Sequence, residues 1–128
     1  MTSKITSGVL TSVETFYQSN YSNPEKRDFI FAYRITIENQ NAFTIKLLNR
    51  HWYIFDSNGD YREVEGEGVV GTQPIITPGD RYQYVSSCHL HSEIGCMHGT
   101  YQMENLNTQT LFNVHIPSFQ LIVPFKMN

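Results

Sequence analysis

Phe29-Ile30-Phe31-Ala32-Tyr33-Arg34-Ile35-Thr36-Ile37-Glu38 is the stretch that decides the fold. Phe29, Phe31, Tyr33, Ile35 and Ile37 share one face; Arg34, Thr36 and Glu38 share the other. A period of two marks a strand with one core face and one wetter face, as antiparallel sheets allow. Asn39-Gln40-Asn41 follows as a turn. The next strand runs from about Phe43 to Phe55. Ile45, Leu47, His51, Tyr53 and Phe55 have one parity, and Leu48, Trp52 and Ile54 the other. Both faces are apolar in its second half, which places this strand centrally. Asp56-Ser57-Asn58-Gly59-Asp60 then closes a hairpin, because Asn-Gly supplies the positive φ that primed turns need.

The same pattern extends outward in short runs. Gly8 to Phe16 offers Val9, Thr11, Val13 and Thr15 on one side. Tyr17 to Lys26 is polar, contains Pro24 and reads as a loop. Tyr61 to Glu65, Gln73 to Ile76, Arg81 to Ser86 and Cys96 to Met103 read as strands. Leu111 to Ile116 and Phe119 to Val123 complete the set, separated at Pro117. Thr77-Pro78-Gly79-Asp80 is a turn. No segment keeps a helical period. The expected fold is all-β: an antiparallel, immunoglobulin- or fibronectin-III-like sandwich of seven or eight strands, with a closed barrel as the alternative.

Composition narrows the class. The chain has 128 residues, which suits one domain spanning 1–128. An aromatic share of 13% argues against disorder. Net charge is −3, and the lysines and arginines are scattered, so the basic footprint of a nucleic-acid binder is missing. No apolar run is long enough for a membrane span, and the first residues lack a hydrophobic signal core. The expected compartment is the cytosol. Cys88 and Cys96 then read as two reduced thiols.

With Arg50-His51-Trp52 and Gly66-Glu67-Gly68-Val69-Val70-Gly71 on the page, the chain closely resembles the bacterial ApaG family. The likeness continues through Gln73-Pro74, Pro78-Gly79, Tyr82-Gln83-Tyr84, Gly95-Cys96-Met97, Gly99-Thr100-Tyr101 and Ile116-Pro117. It implies a fibronectin-III or immunoglobulin-like sandwich. It also implies an association with cobalt resistance and magnesium efflux. Through eukaryotic proteins that carry the domain, it implies a protein-interaction role. The glycine motif adds a suggested nucleotide or pyrophosphate site.

The residues themselves temper that site. A dinucleotide fingerprint needs a helix after it, whose N-terminus offers amides to the pyrophosphate. Here Gly71 is followed by Thr72-Gln73-Pro74-Ile75-Ile76-Thr77-Pro78, which cannot continue as a helix. The preferred reading of Gly66, Gly68 and Gly71 is a tight connection where side chains do not fit. A backbone anion nest is the functional alternative, with Glu65 and Glu67 opposing it. Trp52 reads as the core indole, and Arg50 beside it needs an acceptor: a protein group, a ligand phosphate or a partner carboxylate. Cys88, His91, Cys96 and His98 are soft donors of the kind zinc or cobalt takes, but their spacing fits no standard finger. They are read as ordinary thiols and surface histidines, so no metal or cofactor is expected.

No nucleophile elbow or zincin motif is present, so no enzyme is expected. The expected function is a cytosolic binding or regulatory module whose partner is an unidentified protein. The alternative is a sensor of pyrophosphate, a nucleotide or a divalent metal at Gly66, Gly68, Gly71 and Arg50. A phosphate-containing small molecule and a second copy of the chain are the further partners the sequence allows.

Overall fold

The structure is a computed structural model that describes residues 1–124. The single-domain expectation for 1–128 therefore reaches four residues beyond those described. The strands are β1 Thr2–Thr6, β2 Val9–Tyr17, β3 Phe29–Asn39, β4 Ile45–Asp56, β5 Tyr61–Glu67, β6 Ile75–Ile76, β7 Arg81–Leu90, β8 Ile94–Asn105 and β9 Thr110–Ile122. One sheet has the order β1-β2-β3-β7, the other β5-β4-β8-β9, with β6 paired to β4. Every pairing is antiparallel. The result is the expected sandwich, with nine strands among the described residues. The segment Tyr17–Lys26 carries two 3₁₀ turns, Ser19–Tyr21 and Pro24–Lys26.

β3 is the cleanest strand. Its burial alternates from Phe29 to Asn39 without a break. β4 is central, as its two apolar faces suggested, but its parity changes part-way. Leu47 pairs with Met103 and Asn49 with Gln102, so Leu48 is an extra residue in β4. Such a bulge turns every later side chain to the opposite face. Ile45 and Leu47 point inward before it; Trp52, Ile54 and Asp56 point inward after it. Strict alternation would have grouped Leu47 with His51 and Tyr53.

A second bulge lies where a strand break was expected. Met97 pairs with Phe119 and Gly99 with Ile116, so Pro117 and Ser118 face only His98. Pro117 has no N–H to give, and the bulge removes the need for one. β9 therefore runs unbroken from Thr110 to Ile122.

The core is one cluster fed by both sheets. Trp52, 3% exposed, bridges them. Its ring lies 5.5 Å from Tyr33 on the first sheet and 5.9 Å from Phe119 on the second. These edge-on geometries are the favoured aromatic arrangements. Tyr84 of β7 and Tyr101 of β8 join hydroxyls across the interior at 2.5 Å. Burial pushes both phenols well above their usual range, so each stays neutral and serves as a hydrogen-bonding group.

Thr11 is the exception to this satisfaction. It is 0% exposed, and its Oγ1 has no hydrogen-bond partner among the described residues. A buried hydroxyl without a partner costs stability that an isosteric methyl does not. Thr11→Val is expected to stabilise the protein by about 1 kcal/mol. Urea unfolding checks this through a higher midpoint at unchanged slope.

Candidate functional site

The glycine stretch leaves β5 and turns back on itself. Val69 and Thr72 exchange backbone hydrogen bonds at 2.8 and 3.1 Å around Val70 and Gly71. Both central residues have positive φ, 47° and 79°, as a type I′ turn requires. Gly68 is the tightest position: its φ is 64°, and a Cβ there would lie 2.1 Å from the Thr72 carbonyl oxygen. The Gly68 N–H donates to the Leu48 carbonyl at 2.8 Å, and Gln73 Nε2 donates to the same oxygen at 2.9 Å. The turn is thus docked on the β4 bulge.

Arg50 completes the docking. It shares the inward face with Trp52, and its Nη1 donates to the carbonyls of Glu67 and Gly68 at 3.1 and 3.0 Å. A Cβ on Gly66 would lie 2.7 Å from that nitrogen, so the missing side chain is what admits the guanidinium. The structure therefore brings Arg50 together with Gly66 and Gly68, while Gly71 sits at the open tip with nothing near its Cβ position. The carbonyls of this turn face a cation, and the Gly68, Val69 and Thr72 amides bond within the protein. No helix follows; β6 does.

Arg50 also lines a cleft of ≈ 300 Å³ between the edges of β5 and β7, together with Tyr33, Trp52, Arg62, Ser86 and Cys88. Arg62 Nη2 donates to the His89 carbonyl at 2.6 Å and lies 3.6 Å from Cys88 Sγ. Arg62 was not singled out in the sequence. The signal was present in Tyr61-Arg62-Glu63-Val64-Glu65, where Arg62 and Val64 share a parity opposite to the acids.

The outer face of the second sheet has a different character. His51 stacks on Tyr53 at 4.4 Å between ring centroids, and Tyr53 stacks on His98 at 4.9 Å. Tyr61 lies 6.5 Å from Tyr53 and 4.8 Å from Phe55. His51 Nε2 is 2.8 Å from Glu63 and its Nδ1 is 3.0 Å from Glu65. An open groove of ≈ 600 Å³ continues past Asn49, Glu67, Gln102 and Asn113. The first sheet's outer face, by contrast, carries cross-strand ion pairs. Arg34 is ion-paired with Glu14 at 2.9 Å and lies over the Phe16 ring, and Arg81 pairs with Glu38 at 3.2 Å.

The soft-donor residues do not converge. Cys88 is buried on β7, facing Arg62. Cys96 lies on the second sheet near Ser118 Oγ at 3.3 Å. His98 is stacked on Tyr53, and His91 Nδ1 is 3.3 Å from the Arg27 carbonyl oxygen. Among the described residues no group of three or more His, Cys, Asp and Glu side chains could hold a metal ion. Both cysteines are free thiols.

Residues 19–105 match the family model described as the ApaG domain. The chain belongs to the ApaG family. It is 47% identical over 120 residues to Protein ApaG of Brucella anthropi, covering 94% of this chain and 92% of that protein. It is 44% identical over 124 residues to Protein ApaG of Brucella canis, covering 97% and 95%. Among solved structures, an ApaA protein from Bordetella pertussis superposes with a TM-score of 0.87 at 37% identity, covering 91% of this chain and 94% of that one. The ApaG glycine turn, seen in these atoms, is a clasp between a bulged strand and an inward arginine.

The two thiols of this ApaG domain have different environments. Cys88 is 4% exposed, and burial pushes its thiol up to about 11, against the opposing pull of Arg62. A thiolate is the reactive form, so Cys88 is inert while folded. A water-soluble disulfide reagent at pH 8 is expected to titrate only Cys96 in the native protein, and both thiols in denaturant. Equal native rates for the two would contradict the packing.

Proposed function

We propose that this ApaG-family chain is a non-enzymatic module of the cytosol that docks a protein partner on the outer face of its second sheet. The module is taken to span 1–128. The observation that carries the proposal is the stacked column His51–Tyr53–His98, extended by Tyr61 and Phe55 and flanked by Glu63 and Glu65. Aromatic surface of this kind is enriched where proteins meet. Lys46, which stands opposite Glu104 at the far end, and Arg50, which reaches the lining of the groove, are the basic residues at this face among the described residues, against Glu63, Glu65 and Glu67. The partner's contact surface is therefore basic, with lysine or arginine placed over the rings and between the glutamates. Under this reading the family's association with cobalt resistance and magnesium efflux is indirect and passes through the partner. No helix among the described residues is long and apolar enough to cross a membrane.

A second reading, a sensor of a small anion, rests on one observation. Arg50 and Arg62 both line the same cleft, and neither has a carboxylate within ion-pair distance among the described residues.

The docking proposal predicts a charge-dependent complex. The immobilised chain is expected to retain a basic protein from bacterial lysate. That protein should be released by salt and lost when Glu63→Lys and Glu65→Lys are combined, but kept by Glu25→Lys on the remote 3₁₀ turn. Retention indifferent to the Glu63/Glu65 change, or no specific retention, would count against this face.

A further inference from the structure

We propose that the cleft between the edges of β5 and β7 binds a small oxyanion, a phosphate or carboxylate group held jointly by Arg50 and Arg62. This deepens the small-anion reading and gives it a place.

The argument begins with how the chain treats its arginines. Arg34 and Arg81 sit on an outer face, and each is paired with a glutamate of a neighbouring strand. Arg50 and Arg62 lie half-buried on the inward sides of their strands, without a counter-charge of that kind among the described residues. Each is steadied by backbone carbonyls through one nitrogen: Arg50 Nη1 by Glu67 and Gly68, Arg62 Nη2 by His89. A guanidinium has five N–H donors in a fixed fork, so both retain donors after those bonds are made. Fixing one arm of each fork holds the other arms ready for a bidentate acceptor.

Among the described residues, no carboxylate lines the cleft to neutralise the pair. Tyr33 lines it, and burial raises its phenol above the usual range. Cys88 lines it as a thiol, not a thiolate. His89 lines it with Nδ1 3.8 Å from Asp28, which is not among the lining residues. Asp56, the acid that acts on Cys88, accepts hydrogen bonds from the His91 N–H at 2.5 Å and from the Ser92 hydroxyl. Glu63, Glu65 and Glu67 alternate to the other side of β5 from Arg62 and Gly66. The remaining polar wall includes Ser86, which shares the inward face of β7 with Cys88 and whose hydroxyl suits an oxyanion as a further donor. At ≈ 300 Å³ the cleft has room for such a group.

The glycine turn then has a role in this site without touching the ligand. Gly66 makes the room for the Arg50 guanidinium, and the Glu67 and Gly68 carbonyls aim it.

The protein carries its own reporter, since Trp52 is its one tryptophan and lines the cleft. Trp52 emission and the thermal midpoint would be followed while inorganic phosphate, pyrophosphate or citrate is added, with sodium chloride at matched ionic strength as control. The expected result is a saturable change and a raised midpoint with an oxyanion and none with chloride. Phosphate or citrate each supports the proposal, and the stronger of the two assigns the class. Arg62→Gln should weaken binding by about ten- to a hundredfold, the worth of a charged hydrogen bond. Ser86→Asp should abolish it while raising the midpoint of the ligand-free protein, because the new carboxylate stands where the anion would. Gly71→Ala, at the turn's open tip, should leave binding intact. Binding that survives Arg62→Gln and Ser86→Asp but fails in Gly71→Ala would overturn the cleft and leave the small-anion reading standing at the turn. No saturable response to any of the three anions would remove both.

Discussion

The hydrogen bond from the Gly68 N–H to the Leu48 carbonyl is the constraint on which the rest depends. Leu48 is the extra residue in β4, so its carbonyl falls outside the ladder to β8. An unpaired backbone carbonyl beside a core strand would be costly. Gly68 supplies a donor, Gln73 supplies a second, and the Leu47 N–H in turn reaches the Pro74 carbonyl at 3.0 Å. The bulge and the glycine turn are thus two halves of one arrangement. Gly68 is needed because only a residue without a Cβ can take φ 64° with the Thr72 carbonyl so close.

Both proposed surfaces follow from the face change at that bulge. With one extra residue, Trp52 enters the core and His51 leaves it. Arg50 follows Trp52 inward and meets the turn's carbonyls. Tyr53 follows His51 outward and forms a stack with His98. The sandwich therefore presents two surfaces of opposite sign: a cationic cleft at the β5–β7 margin and an acidic, aromatic outer sheet. Between them lie β4 and β5: alternation puts Arg62 and Glu63 on opposite sides, while Arg50, passing Gly66, lines both.

Much of this was legible in the residues, and the exceptions have physical causes. β3 was readable almost to its ends, because it alternates without irregularity. β4 was placed correctly as central, but its inward set was not, because Leu47 and Leu48 are both apolar and hide the insertion between them. β1 exposes nearly all of Thr2–Thr6 and so carries no apolar signal. Pro117 announced a break, yet β9 continues, since Pro117 sits in a bulge of β9 itself, where its N–H is not needed. The kinship of Arg50 with Gly66 and Gly68 was suggested by sequence, but which atoms meet was not, because the contact depends on the fold-back of the turn. The cleft was invisible for a related reason: Arg62 is local to β5, while Ser86 and Cys88 arrive on a strand of the other sheet. Cys88, His91, Cys96 and His98 look adjacent in the chain, but sheet faces and a turn disperse them.

The most direct test of this account is residue-resolved amide hydrogen exchange of Gly68 and Trp52. If the turn and the bulged strand are one cooperative unit, the Gly68 N–H will exchange only by global unfolding, at the same free energy as the Trp52 N–H. Fast Gly68 exchange while Trp52 stays protected would show a turn that opens independently of the sheet, and would contradict the account.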